Sequence, residues 1–156
     1  MDYQEALAYL ESLTDYEKKT GYSDSTEIFD LRRPQALLAL LGNPQERFPS
    51  VVVAGTKGKG STSAMVASIL RASGRRVGLY SQPHLHSFRE RIRVDGELIS
   101  RTELAGAIQE TARAMERFPS LHPELGLPTS YEVATAAAML SFADQQADLA
   151  VLGGGL

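Results

Sequence analysis

The stretch VVVAGTKGKGST, Val51 to Thr62, restricts the fold more than any other part of the chain. Valines and an alanine run straight into a loop with three glycines and two lysines, and Ser61 and Thr62 follow. A short apolar run bounded by glycine predicts a buried strand, here Ser50 to Ala54. The residues after the loop predict a helix over Lys59 to Ser73, with Met65, Ile69 and Leu70 facing inward and Gly74 closing it. The segment RRVGLYS then supplies a second strand, so Val51 to Tyr80 makes a βαβ unit with parallel strands.

On either side of that unit the elements keep alternating. Tyr3, Ala6, Leu7, Leu10 and Leu13 recur at helical spacing, and polar residues from Lys18 to Thr26 read as a loop. Pro34 suits the first turn of a helix over PQALLALL, which Gly42, Asn43 and Pro44 end. IRVDGELI alternates apolar and polar residues about Asp95-Gly96, the strongest hairpin signal in the chain. A helix from about Thr102 to Phe118, a loop carrying Pro119, Pro123 and Pro128, a helix over TSYEVATAAAMLSFADQ and a buried strand over ADLAVL complete the order. That order predicts an α/β fold: a three-layer, doubly wound, mostly parallel sheet with a core like that of the P-loop NTPases, plus a small β-hairpin. In such sheets ligands bind at the carboxyl ends of the strands.

Composition narrows the class of ligand. With 156 residues, 43% of them hydrophobic and 22% charged, the chain has the balance of one globular domain. A net charge of -3 gives no broad electrostatic reason to expect nucleic acid. There is no cysteine, so disulfides and thiolate metal sites are excluded. The acidic amphipathic start MDYQEALAYLESL is unlike a signal peptide, and no apolar run approaches a membrane span. The expectation is a cytoplasmic monomer with no membrane role.

The glycine loop itself fails the strict phosphate-loop pattern GxxxxGK followed by Ser or Thr. Val53 stands five residues before Gly58, and Gly60 separates Lys59 from Ser61. The physical ingredients survive: glycines where backbone must approach a ligand, a lysine at the turn, hydroxyls, and a helix N-terminus with free N–H groups. The competing reading is a glycine-rich turn with solvated lysines. Strand before and helix after favour the phosphate loop.

These residues also resemble a known family. GTKGKGST is similar to the phosphate loop of the Mur ligase superfamily, and specifically of folylpolyglutamate and dihydrofolate synthases. LLGNP, VGLYSQPHL, ERIRVDG and SYEVAT agree with that branch in order and spacing. The resemblance implies an ATP-dependent ligase that joins L-glutamate to a folate or dihydropteroate carboxylate through an acyl phosphate, with ATP and Mg2+ as cofactors. A Mur-type ligase of peptidoglycan precursors and a non-catalytic nucleotide-binding remnant are the alternatives. It further implies that residues 1–156 are an incomplete N-terminal and central ATP-binding domain. The C-terminal glutamate-ligase domain is then absent, and the isolated chain is expected not to complete the reaction.

By the same resemblance Gly55, Thr56, Lys57, Gly58, Lys59, Gly60, Ser61 and Thr62 hold the phosphates, and Lys59 reaches the β and γ phosphates. Ser61, Gln82 and Glu132 are the implied magnesium ligands, with Lys59 and Glu132 catalytic. Gln82 stands where the family usually has Ser. Glu132 has a second reading from spacing alone, because Thr129-Ser130-Tyr131-Glu132 is a capping box. Pro83 and His84 are implied to lie beside the pterin and nucleotide sites. Arg89, Arg91 and Arg93 could steer folate carboxylates or form a solvated face. His84 and His86 lack a third ligand nearby for a transition metal, and His122 carries no assignment.

Overall fold

The computed structural model describes residues 1–13 and 30–154. The expected loop from Lys18 to Thr26 and the terminal pair Gly155 and Leu156 lie outside them. The elements run α1 (Tyr3–Ser12), α2 (Arg32–Leu40), β1 (Ser50–Val52), α3 (Lys59–Ala72), β2 (Val77–Ser81), β3 (Ile92–Val94), β4 (Glu97–Leu98), α4 (Arg101–Leu121), α5 (Ser130–Asp144) and β5 (Leu149–Gly153). Short 3₁₀ turns at Pro44–Arg47 and Phe88–Arg91 lead into β1 and β3.

The five strands form one sheet in the order β1-β5-β2-β3-β4. β5 pairs in parallel with both β1 and β2, so the strands of the βαβ unit are parallel but β5 is inserted between them. The hairpin joins the other edge antiparallel, with Val94 opposite Glu97. Asp95 and Gly96 take φ of 53° and 83°, the two positive values that a two-residue type I′ turn requires.

Side chains of the central strands alternate between the two faces, as the pleat dictates. Val77, Leu149 and Val151 meet Ala67, Val66 and Leu70 of α3 on one face. Tyr80 and Ala150 face the larger core, with Val133, Ala137 and Phe142 of α5 and Leu104, Ile108 and Phe118 of α4. Gly78 of β2 permits close approach there: a Cβ on it would stand 2.6 Å from Phe142 Cδ1.

Three expectations need correcting. Met65 and Ile69 are exposed, at 59% and 68%, because the sheet-facing row of α3 is Ser63, Val66, Ala67 and Leu70. β1 is an edge strand with its residues exposed, since β5 covers only one side of it. α4 continues through Pro119 to Leu121 instead of ending at Phe118; proline in a last turn sacrifices one hydrogen bond where the helix is ending anyway. No helix among the described residues is long and apolar enough to cross a membrane.

Candidate functional site at the strand ends

The glycine loop leaves β1 and turns into α3 at Gly58, whose φ is 76°. Only glycine adopts that value at little cost. No side chain caps α3, whereas α1, α4 and α5 each carry a capping box, at Asp2 and Glu5, Ser100 and Glu103, and Thr129 and Glu132. The first helical bond into the loop is Thr62 N–H to Gly58 C=O, at 2.9 Å. The amides preceding Thr62 point at the loop with the positive end of the helix dipole behind them, an arrangement suited to an anion. Gly55, Thr56, Lys57, Gly58, Gly60, Ser61 and Thr62 are exposed. Lys59 Nζ donates to Gly55 C=O at 2.5 Å, so its ammonium lies across the mouth of the loop.

The end of β5 closes the base of this loop. A Cβ on Gly153 would run into Ser63 Oγ, which is buried and donates to Lys59 C=O at 2.7 Å. One residue on, a Cβ at Gly154 would lie 3.0 Å from the Tyr131 hydroxyl and 3.8 Å from Gln82 Nε2. Two glycines thereby draw the start of α3, the end of β2 and the start of α5 to one place. The sequence expectations assign no role to Gly153 and Gly154; two adjacent glycines ending a buried strand are the available signal.

Beside this junction a cleft of about 470 Å³ is lined by Tyr3 and Leu7 of α1, His84 and Phe88 of the loop after β2, Arg101, and Tyr131. That volume falls in the range of small-molecule sites. Arg101 lies over the Tyr3 ring, 5.4 Å from its centre. The cleft wall is tied together by Arg91, which donates from Nε to His84 Nδ1 at 2.8 Å and from Nη1 to Gln82 Oε1 at 2.7 Å, and stacks on Phe88 at 5.1 Å. Arg89 donates to Ile99 C=O and Arg93 to Gly96 C=O. The three arginines are therefore bonded into the loop and hairpin. Pro83, joined to Gln82 by a cis peptide, is exposed. His86 is 90% exposed, His122 packs against Phe118, and no group of three or more His, Asp or Glu able to hold a metal occurs among the described residues.

Glu90 organises the same loop. Its carboxylate accepts the backbone N–H groups of Leu85, His86 and Ser87 at 2.8–2.9 Å. Those bonds, the Leu85 one foremost, pull its pKa from 4.5 to about 2. A depressed carboxylate stabilises the fold fully above pH 4.5 and loses that contribution as pH falls toward 2. Carbon-13 NMR should find Glu90 titrating at about 2, well below the ordinary 4.5. Glu90→Gln should speed amide exchange at residues 85–87 at neutral pH.

Glu132 sits at the start of α5, and both readings of it meet in the geometry. It accepts Thr129 N–H at 2.7 Å, completing the capping box. Arg33 of α2, which sequence reading missed because it lies 99 residues away, donates from Nε to both carboxylate oxygens at 2.9 and 3.2 Å. Arg33 also reaches Leu125 C=O at 3.4 Å. The pair is nearly buried, with side chains 7% and 12% exposed. Magnesium requires free hard oxygens. The Glu132 oxygens and the Gln82 oxygen are engaged by arginines, and Ser61 alone of the three offers an open hydroxyl. As arranged, the three do not fit a magnesium cage.

Comparison with known proteins finds relatives of one kind. No protein-family model matches the chain. Folylpolyglutamate synthase of Lacticaseibacillus casei is 37% identical over 156 residues, all of this chain and 34% of that protein. Dihydrofolate synthase/folylpolyglutamate synthase of Bacillus subtilis is 34% identical over 91% of this chain and 30% of its own length. A folylpolyglutamate synthase structure from Thermotoga maritima superposes with a TM-score of 0.80 at 37% identity, over 96% of this chain and 32% of that one. Along its whole length the chain is similar to the N-terminal part of folylpolyglutamate synthases. It spans about a third of the length of the relatives it matches. A solved complex of such a synthase with AMPPCP and folate superposes with a TM-score of 0.83 at 37% identity, over 97% of this chain and 34% of that one. About a third of the length of these synthases therefore shares the fold of this chain.

Proposed function

We propose that the chain is the ATP-binding portion of a ligase that joins L-glutamate to a folate or dihydropteroate carboxylate. The observation that carries this reading is that loop and cleft open onto one junction. Gly153 abuts α3 behind the loop, and Gly154 abuts Tyr131, which lines the cleft. The solved relative with AMPPCP and folate lends the two ligand classes. The loop amides and the Lys59 ammonium receive the nucleotide phosphates, supplying the positioning and charge neutralisation that phosphoryl transfer asks of a protein. The rings of Tyr3, Phe88 and Tyr131 offer flat apolar surfaces for a pterin, and the Arg101 guanidinium a partner for a carboxylate.

In the reaction proposed, a carboxylate oxygen attacks the γ-phosphorus and ADP leaves, giving an acyl phosphate. The glutamate amine then attacks the acyl carbon and expels inorganic phosphate, losing a proton as the amide forms. Residues 1–156 contribute the nucleotide loop and one wall of the acceptor site, and the rest of the whole enzyme's chemistry belongs to the additional length of its relatives. Magnesium accompanies the ATP in this reading, with Ser61 as its open ligand, and no step is assigned to it.

The Lys59 assignment is tested by calorimetry. Lys59→Ala should weaken AMPPCP binding about tenfold or more, the worth of one charge-assisted contact, with little change in the unfolding midpoint because the ammonium bonds an exposed loop carbonyl, that of Gly55. Equal binding by the two proteins would remove the phosphate-loop role.

A further inference from the structure

β1 is the strand whose sequence and surroundings disagree. Its run VVVA, Val51 to Ala54, is apolar without interruption, the pattern of a parallel strand covered on both faces. A strand at a sheet edge ordinarily carries a charge, a proline or a bulge that blocks further pairing. Ser50, Val51 and Val52 include neither a charge nor a proline, yet all three are exposed.

The register shows where cover is missing. Val51 stands opposite Val151 and Val52 opposite Leu152, and residues opposite one another point to the same face of a sheet. Val151 is fully buried in the cluster that α3 covers, whereas Val51 beside it is 40% exposed. Leu152 packs on the larger core, whereas Val52 beside it is 71% exposed. Among the described residues α3 is the only helix in its layer, and it leaves Met65 and Ile69 exposed as well. Both layers therefore stop one strand short of the sheet edge.

The backbone repeats the pattern. Ala150 N–H donates to Pro49 C=O and Val53 N–H to Leu152 C=O. Successive residues of a strand turn their N–H and C=O groups to opposite sides, so Pro49, Val51 and Val53 address β5. Ser50 and Val52 address the open edge. A strand that pairs there and brings layers of its own would satisfy backbone and side chains together. The relatives have the length to supply one, since this chain spans about a third of them.

We propose that β1 is an interior strand of a larger sheet, whose outer edge takes a strand from the part of a folylpolyglutamate synthase that residues 1–156 do not match. The layers attached to that strand cover Val51 on one face and Val52 on the other. The glycine loop leaves β1 directly, so this docking also anchors the loop from its strand side. The proposal does not depend on nucleotide binding.

The test is co-expression of residues 1–156 with the Lacticaseibacillus casei synthase lacking the 34% that this chain matches, followed by light scattering and amide exchange. An equimolar complex is expected, with exchange slowed at Ser50 and Val52. Val52→Lys should weaken the complex about tenfold or more, because the joined sheet would bury a cation. The same substitution should change the unfolding midpoint of residues 1–156 alone very little, since that side chain is exposed there. Leu127→Lys, at an exposed leucine between α4 and α5, should leave the complex intact. No complex, or one indifferent to Val52→Lys, overturns the proposal. So does a stable dimer of residues 1–156 that Val52→Lys dissolves, which would assign the edge to a second copy of this chain.

Discussion

Arg33→Met is expected to destabilise the fold by about 3–5 kcal/mol, the usual cost of removing one partner from a buried ion pair. The Glu132 carboxylate, 12% exposed, would keep the Thr129 N–H and lose both bonds from Arg33 Nε. Leu125 C=O would lose its guanidinium contact as well. The charge left behind is the main term. Adding Glu132→Gln should therefore recover much of the loss, because a neutral amide still accepts the cap bond and no longer needs a cation. Urea unfolding of the two single variants and the double variant measures the coupling directly. Strictly additive effects would show that Arg33 and Glu132 do not act as a pair.

Gly78→Val is the second large effect. The Cβ alone would stand 2.6 and 2.8 Å from carbons of the Phe142 ring, and valine adds two methyl groups in the same direction. Phe142 is fully buried and meets Phe48 edge-on at 6.1 Å, so it has no room to retreat. The strain is expected to cost about 1–3 kcal/mol or somewhat more, read as a lower unfolding midpoint. Gly78→Val with Phe142→Leu should be less unstable than the sum of the single changes, since the smaller side chain vacates the contested space. A stability equal to the unsubstituted protein for Gly78→Val alone would mean that α5 does not pack on β2 as described.

Legibility in the sequence followed the range of the interaction. The glycine loop, the hairpin and the capped helices depend on neighbours within about four residues, and spacing exposed each of them. Strand order does not depend on neighbours. Nothing local to ADLAVL says that β5 enters between β1 and β2, and that insertion is what brings Gly153 and Gly154 beside the loop. The inward face of α3 was misread because Met65 and Ile69 are the larger apolar residues, while the face that meets the sheet is built from smaller ones at Ser63 and Ala67. At the site the same division holds. Lys59 and Ser61 were legible from the motif, and Glu132 was legible as two alternatives. The arginines that engage Glu132 and Gln82 were not: Arg33 is remote in the chain, and Arg91 reads from spacing as one of three alternating surface charges.

In the proposed function the segment from Gly55 to Thr62 holds the phosphates of a nucleotide. Backbone amide NMR during titration with AMPPCP measures it most directly. Saturable shifts are expected to concentrate at residues 55–62, with smaller ones at Gly153 and Gly154 and little change along α4. No saturable shift, or shifts that map away from the loop while residues 55–62 stay still, would contradict it.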